Sequence, residues 1–154
     1  MKDKAYNINP LILMNAYRCA LKDCVDTTAH YVGQEYILFR YNEIVEFLGV
    51  FQLKSLEPFR KAALMDLGNI PKNVLVLPIG ICYIPTDNQY KKVGNIFYNS
   101  VKKAIVKNKF DFNIIHTHFA WPQGYAGARL KEDYGTPFVV TGHGYDIYSL
   151  PFKD

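Results

Sequence analysis

The chain has 154 residues, about the length of one domain, and 49% of them are hydrophobic while 21% are charged. This balance is typical of a globular protein with a sizeable core. The formal net charge of +4 is compatible with anionic ligands. No nucleic-acid-binding motif accompanies it, so we expect no nucleic-acid partner.

The cysteines and the longest apolar runs bear on the compartment. The cysteines are odd in number, and Cys19 and Cys24 lack the two-residue spacing of a redox or zinc pair. No run approaches the ~18 apolar residues of a membrane span. The run at residues 11–14 is too short for a signal peptide. We therefore expect reduced thiols and a cytoplasmic protein.

Residues 1–70 carry patterns that favour helices. Apolar residues recur at three- and four-residue spacings over residues 10–32 and again over residues 43–67, which predicts two helical segments. Between these segments, the apolar run at residues 36–39 predicts a strand. We interpret residues 1–70 as a divergent, mainly helical N-terminal part of the domain.

Residues 71–154 alternate between strand and helix patterns. The apolar run at residues 74–78 predicts a buried strand. Thr86 and Gln89 form a capping-box pattern, which predicts the start of a helix. That helix, over residues 88–107, carries five lysines beside an apolar stripe. This distribution fits a solvated face or contact with an anionic membrane surface.

Two further strands are predicted at residues 112–118 and 138–141, with a helix between them. Pro122 fits the first turn of that helix and Gly135 fits its C-terminal cap. Gly127 is tolerable in the helix if the backbone must lie close to the sheet. Strand, helix and strand form a βαβ unit. The pattern predicts an α/β fold with a Rossmann-like parallel sheet and flanking helices, with ligands at the carboxyl ends of the strands.

Histidines follow these last two strands, in His-Thr-His at residues 116–118 and Gly-His-Gly at residues 142–144. His116 and His118 are two apart on a strand, so their side chains point to one face. His118 is nearer the strand end and can line a cleft, whereas His116 fits a core or supporting position. The glycines beside His143 let a ligand approach the main chain, and its imidazole can donate to a hydroxyl or phosphate oxygen.

Other interpretations of this region stay open. His116 and His118 also match the HxH pair of amidohydrolase-like metal sites, with His143 and Asp146 as the nearby further ligands. That barrel needs about 250 residues, more than this chain has. Asp146 fits a cap for the segment that follows it or a carboxylate that faces the ligand. Trp121, close to His118 in sequence, is a further candidate for the cleft.

Two segments, DFNIIHTHFAWPQGYAGARL and GTPFVVTGHGYDIYSLP, carry a paired motif. They resemble the D-I-I-H-x-H and P-x-V-x-T-x-H-G-x-D pattern of family-4-like glycosyltransferases, with a likeness that covers residues 71–154. The resemblance implies the incomplete N-terminal half of a GT-B fold, in which two Rossmann-like domains face a cleft. It also implies retaining transfer of a sugar from a nucleotide-sugar, without a bound metal or another cofactor.

The resemblance implies roles for the glycine-bracketed loop. Gly142, His143 and Gly144 match the family's His-Gly loop, which approaches the donor sugar. His143 is therefore the predicted catalytic residue. The predicted substrate-binding residues are His118, Trp121, Gly142, Gly144 and Asp146, and we predict no metal ligand.

The chain also departs from the family pattern. No glycine-rich loop is evident in residues 1–9 or in the helix predicted after them, and a C-terminal nucleotide-sugar domain is absent. We therefore expect a fragment or one piece of a split enzyme, the acceptor-side portion, which is inactive without a C-terminal-domain partner chain.

The expected acceptor is a sugar or a lipid-linked molecule, and a lipid-linked acceptor would bring the protein to the periphery of a membrane. Two other functions are considered. One is a non-catalytic binding or assembly module with this fold, and the other is a metal-dependent hydrolase that uses the HxH pair.

Overall fold

The structure is a computed structural model and describes residues 7–149. Five strands form one sheet in the order β3-β2-β1-β4-β5, and all four neighbouring pairs are parallel. The strands are β1 Pro10–Met14, β2 Glu35–Asn42, β3 Val74–Ile81, β4 Ile114–His118 and β5 Phe138–Thr141. The predicted Rossmann-like α/β fold is confirmed.

Helices flank both faces of this sheet. They are α1 Cys19–Thr28, α2 Glu43–Leu48, α3 Asp87–Tyr90, α4 Val93–Asn108 and α5 Tyr125–Tyr134. Short 3-10 turns cover Ala29–Tyr31, Gly49–Phe51, Lys54–Phe59 and Lys61–Leu64, and further turns cover Ala120–Gly124 and Tyr145–Ser149. No helix among residues 7–149 has the length and hydropathy needed to cross a bilayer.

Two hydrophobic clusters hold the layers together, one on each face of the sheet. On one face, Leu11 and Ile115 of the sheet belong to the same cluster as Phe97 of α4 and Leu130 of α5. The cluster on the other face contains strand residues Ile12, Met14, Ile37 and Phe39 together with Val25 of α1. Because side chains alternate across a strand, neighbouring residues of β1 belong to opposite clusters.

The central strand corrects the prediction for the N-terminal part. We expected a helix over residues 10–32, but Pro10–Met14 is β1 and only Cys19–Thr28 is the α1 helix. All five residues of β1 are buried, because both faces of the sheet are covered there. A strand buried on both faces is a continuous apolar run, which periodicity cannot distinguish from part of a helix. Since β1 pairs with both β2 and β4, residues before and after position 70 share one sheet.

The two other long helices were predicted with the wrong extent. Over residues 43–67, α2 ends at Leu48 and short 3-10 turns follow, with Gln52 in a left-handed conformation at φ 54°. Over residues 88–107, the predicted helix is divided into α3 and α4. Thr86 precedes α3 but makes no side-chain capping hydrogen bond, so the predicted capping box does not form.

The βαβ unit is confirmed, since β4 and β5 are parallel neighbours joined by α5. The strand predicted at residues 138–141 is β5, and Gly135 caps α5 in a left-handed conformation at φ 64°. Pro122 lies in the turn Ala120–Gly124 that precedes α5, rather than in the first turn of α5. This turn and the segment after β5 leave the sheet at the same edge, the edge where the histidines lie.

Candidate functional site

The candidate site lies where β4 and β5 end. The Phe119 N–H, directly after β4, donates to the carbonyl of Thr141, the last residue of β5, with an N···O distance of 2.8 Å. The two following loops therefore leave the sheet side by side. In open parallel sheets, ligands bind at this carboxyl edge.

Three histidine rings lie in a row at this edge. The ring centroids of His116 and His118 are 4.5 Å apart, so the two side chains share one face as predicted. His118 Nδ1 lies 3.0 Å from His143 Nε2, within hydrogen-bond distance. His116 Nε2 lies 2.9 Å from the hydroxyl oxygen of Thr141. The two histidine-bearing segments are thus joined through their side chains.

Burial sets the charge of this row. His118 is only 4% exposed. Burial, and then the proximity of His116 and His143, lower the pKa of His118 to about 4. Burial, and then His143, also lower the pKa of His116. Both rings are therefore neutral at pH 7. Because a neutral imidazole has one donor and one acceptor nitrogen, the hydrogen bond between His118 and His143 couples the tautomers of the two rings.

His143 is the exposed end of the row. Its ring lies against Phe119, with ring centroids 4.4 Å apart. Gly144 has a φ of 97°, a conformation that L residues with a side chain rarely adopt. At Gly142, a Cβ would collide with the side chain of Ile147. Gly144 is therefore required by the backbone path of the loop that presents His143, and Gly142 leaves space for the Ile147 side chain.

Asp146 ties this loop to the loop after β4. One carboxylate oxygen accepts from the His143 N–H at 2.9 Å, and the other accepts from the Ala120 N–H at 2.6 Å. Burial by itself would raise the pKa of Asp146, but these hydrogen bonds lower it below its ordinary value. We expected Asp146 to cap the segment that follows it, and for residues 147–149 this prediction is wrong. Asp146 lies inside the turn Tyr145–Ser149, and its carboxylate accepts from the loops that precede it. Position 150 lies outside the described residues.

Trp121 lies in the loop after β4, where it makes contacts of its own. Its ring meets the rings of Tyr90 and Tyr125 edge-on, with centroids 6.4 and 5.4 Å away. A Cβ on Gly94, in the first turn of α4, would lie 2.6 Å from the indole. Trp121 therefore packs on the start of α4, and these contacts are separate from those of the three histidines.

A second group of polar side chains lies at the carboxyl edge, and the sequence analysis missed it. Arg40 in β2 is hydrogen-bonded to Asn15, which follows β1, and to Tyr83, which follows β3. Gln123, after β4, donates to the same oxygen of Asn15. Arg40 directly follows an apolar strand run, and this was the signal that sequence reasoning passed over. Asn15 was hidden by the incorrect helix over residues 10–32.

Metal binding finds no support in the described part of the chain. Within residues 7–149, no group of three or more His, Cys, Asp or Glu side chains is arranged to hold a metal ion. In addition, His118 Nδ1 and His143 Nε2 face each other at hydrogen-bond distance, whereas two metal ligands would both point at the metal ion.

Comparison with known proteins points to one family. A family model described as Glycosyltransferase Family 4 matches residues 60–153, more than half of the chain. This segment contains β3, β4 and β5 with both histidine-bearing loops. An uncharacterized glycosyltransferase of Methanocaldococcus jannaschii is 38% identical over 63 residues, which are 39% of this chain and 18% of that protein. The aligned part thus spans less than a fifth of that relative. The resemblance found in the sequence is confirmed, and the chain belongs to glycosyltransferase family 4.

Proposed function

We propose that this chain is the acceptor-side, N-terminal half of a retaining glycosyltransferase of the GT-B type, which moves a sugar from a nucleotide-sugar to an acceptor. The observation that carries the proposal is the exposed imidazole of His143, held by His118 and Asp146 at the carboxyl edge of a parallel sheet. Family membership supports sugar transfer as the reaction.

In this proposal, His143 is the residue that contacts the donor sugar. Its Nε2 faces His118, so the opposite ring nitrogen is left to hydrogen-bond a sugar hydroxyl. The glycines on either side keep the main chain open to the sugar ring. A group fixed in this way acts by orienting the sugar and by stabilising charge that develops in the transition state, without a metal or another cofactor.

The other predicted residues take supporting roles. His118 and Asp146 are both buried, so they act mainly through the position of His143. Trp121 is partly exposed beside α4 and lines the acceptor part of the cleft. The nucleotide is bound by a C-terminal domain, either from a longer form of this protein or from a partner chain.

We place the protein in the cytoplasm, at the membrane periphery when its acceptor is lipid-linked. Lys103 and Lys107 on α4 are exposed and available to anionic lipid. Lys102, in contrast, is engaged with Asp133 at 2.8 Å. A sugar acceptor in solution requires no such contact.

A second candidate function, from a different class, is a non-catalytic assembly module. Within residues 7–149, β5 is an edge strand of the sheet, and Val139 and Val140 are each about half exposed, at 48% and 47%. An open apolar sheet edge favours association with another chain.

The deciding experiment combines the purified chain with a separately expressed family-4 C-terminal domain, and measures nucleotide-sugar binding and sugar transfer. We expect transfer in the mixture and its loss in His143→Ala. His30→Ala is the matched control, because His30 is exposed in a turn after α1 and outside the described contacts of the site. A folded mixture that neither binds nor turns over nucleotide-sugars would leave the assembly module as the function.

A further inference from the structure

The polar group around Arg40 forms a second feature of the carboxyl edge, and the histidine row does not use it. Its members come from four different places in the sheet, after β1, in β2, after β3 and after β4. They are Asn15, Arg40, Tyr83 and Gln123. Asn15 and Tyr83 contact the guanidinium of Arg40 directly, and Gln123 supports it through Asn15.

The guanidinium of Arg40 is held from two sides. Its Nε donates to Asn15 Oδ1 at 3.1 Å, and its Nη1 donates to Tyr83 Oη at 3.2 Å. Asn15 is held in turn by the amide of Gln123, which is fully buried. The main chain of Tyr83 is also held, because its carbonyl accepts from the Asn42 side chain at 2.8 Å. The orientation of Arg40 is therefore set before any ligand arrives.

The charge of Arg40 is not neutralised by the protein. Both of its side-chain partners are neutral, and among residues 7–149 no carboxylate forms an ion pair with it. Its Nη2 group has no hydrogen-bond acceptor within the same described residues. The side chain is partly exposed, so this group can reach a ligand. An oriented, unpaired guanidinium is suited to a planar oxyanion.

The position of Arg40 separates it from the histidine row. Arg40 shares a strand face with Leu38, in the cluster packed against α4 and α5. His116 pairs with Ile12, which belongs to the cluster on the opposite face. The strands β2 and β4 are separated by β1, so the axes of these two strands are roughly 10 Å apart in the sheet. The Arg40 site therefore lies on the opposite face of the sheet from the histidine row, at the same carboxyl edge.

We propose that Arg40 binds an oxyanion, a phosphate monoester or a carboxylate, carried by the acceptor substrate. The assignment to the acceptor rests on the proposed function, in which this domain supplies the acceptor side. The binding of the oxyanion itself depends only on the geometry around Arg40.

The test uses the purified chain and needs no turnover. Glycerol phosphate and acetate are titrated separately, with binding followed by chemical-shift changes in NMR spectra. We expect saturable binding of at least one of the two probes, weakened roughly tenfold or more in Arg40→Gln, since hydrogen bonds to charged groups contribute about 1.5–3 kcal/mol. Arg40→Lys and Tyr83→Phe should show intermediate losses. The lysine keeps the positive charge but lacks the planar guanidinium, and the loss of the Tyr83 hydroxyl removes one of the hydrogen bonds that orient Arg40.

Arg129→Gln is the matched control, since it removes one exposed guanidinium on α5 that pairs with Glu132. It should bind the probes as the unaltered chain does. Unchanged circular dichroism in all four variants shows that the fold is retained. Equal losses in Arg129→Gln and Arg40→Gln, or no loss in Arg40→Gln, would overturn the site.

A nucleoside diphosphate serves as a third probe, to distinguish the acceptor from the donor. Arg40-dependent binding of uridine diphosphate without binding of glycerol phosphate or acetate would overturn the acceptor assignment. The result is independent of sugar transfer. If the site binds its oxyanion but the mixture with a C-terminal domain transfers no sugar, the proposed function fails while the Arg40 site stands.

Discussion

His118 Nδ1 lies 3.0 Å from His143 Nε2, so one side-chain hydrogen bond joins the end of β4 to the loop after β5. His118 is buried and His143 is exposed. The interior of the sheet therefore determines which nitrogen of the exposed ring is available to a ligand. Two residues that are 25 positions apart in the chain are thus joined at the carboxyl edge of the sheet.

Replacement of His118 should reduce the catalytic rate more than substrate binding. His118→Phe keeps the ring volume but removes the hydrogen bond to His143. We expect kcat to fall about 10- to 100-fold with little change in KM, because a buried hydrogen bond of roughly 1–3 kcal/mol orients His143. The measurement is sugar transfer in the mixture with a C-terminal domain.

His118→Asn is the matched variant, because its amide can replace Nδ1 as the partner of His143. It should recover part of the lost kcat. If the Phe and Asn variants were equally active, or if only KM changed, His118 would not position His143.

Replacement of Asp146 by asparagine should loosen both loops. The carboxylate accepts from His143 and Ala120 with different oxygens, and an amide has a single acceptor oxygen. One of the two N–H groups is then left without its acceptor, and a hydrogen bond to a charged group contributes about 1.5–3 kcal/mol. Chemical denaturation of Asp146→Asn at pH 7 should show a loss of this size, and transfer activity should fall with it.

The pH dependence gives a second readout for Asp146. Because its folded-state pKa is below the ordinary value, its contribution to stability is present above that ordinary value and is lost as the pH falls through the folded pKa. The difference in unfolding free energy between the unaltered chain and Asp146→Asn should shrink on acidification. A constant difference at all pH values would show that the carboxylate charge is not involved.

Glu35 should make the fold less stable as the pH rises. Glu35 is the first residue of β2 and is 1% exposed, and one of its carboxylate oxygens has no hydrogen-bond partner. Burial, together with the negative charge of Asp26, raises its pKa from 4.5 to about 7, although a hydrogen bond from Thr28 opposes the shift. Between about pH 4.5 and about pH 7, the folded state therefore keeps a proton on Glu35 that the unfolded chain has released.

The stabilising effect of this proton is complete below about pH 4.5 and is lost as the pH rises through about 7, with a total of roughly 3 kcal/mol. Urea unfolding of Glu35→Gln should lack this component, so the variant should be more stable than the unaltered chain at pH 8. The exposed Glu57→Gln serves as the control and should follow the unaltered chain. A Glu35→Gln variant with the same pH profile would exclude a buried ionisation at this position.

Gly127→Ala should destabilise the βαβ unit even though alanine favours a helix. A Cβ at Gly127 would lie 2.6 Å from Thr117 Cγ2 and 2.5 Å from the Phe138 ring, between α5 and the strands β4 and β5. Overpacking of this kind costs about 1–3 kcal/mol, against a gain in helix propensity of about 1 kcal/mol. We expect a lower thermal midpoint. At Gly124 the nearest atom, the Phe119 carbonyl oxygen, is 3.3 Å away, so Gly124→Ala should cost less.

The carboxyl half of the fold was predictable because its signals are local. The strand β5 is a short β-branched run, Gly135 supplies the helix cap, and the two-residue spacing of His116 and His118 requires a shared face on any strand. The Gly127 prediction was likewise sound, since a glycine inside a helix indicates close approach to a neighbour. Each of these inferences depends on a few adjacent residues.

The N-terminal half was less predictable because its signals depend on burial. The strand β1 is buried on both faces because helices cover both sides of the sheet. That covering is a property of the assembled fold. The polar group around Arg40 was missed for the same reason. Asn15, Arg40, Tyr83 and Gln123 are remote in sequence and meet only when strand order brings their segments together.

The sequence by itself determined the α/β class, the βαβ unit, the two histidine-bearing loops and the resemblance to family 4 glycosyltransferases. Only the tertiary structure decided that His118 supports His143, that Asp146 bridges two loops, and that Arg40 stands oriented and unpaired at the sheet edge. The physical reason is that periodicity and spacing fix which way neighbouring side chains point. Hydrogen bonds between distant segments, and the burial that shifts a pKa, exist only after the strands have taken their order in the sheet.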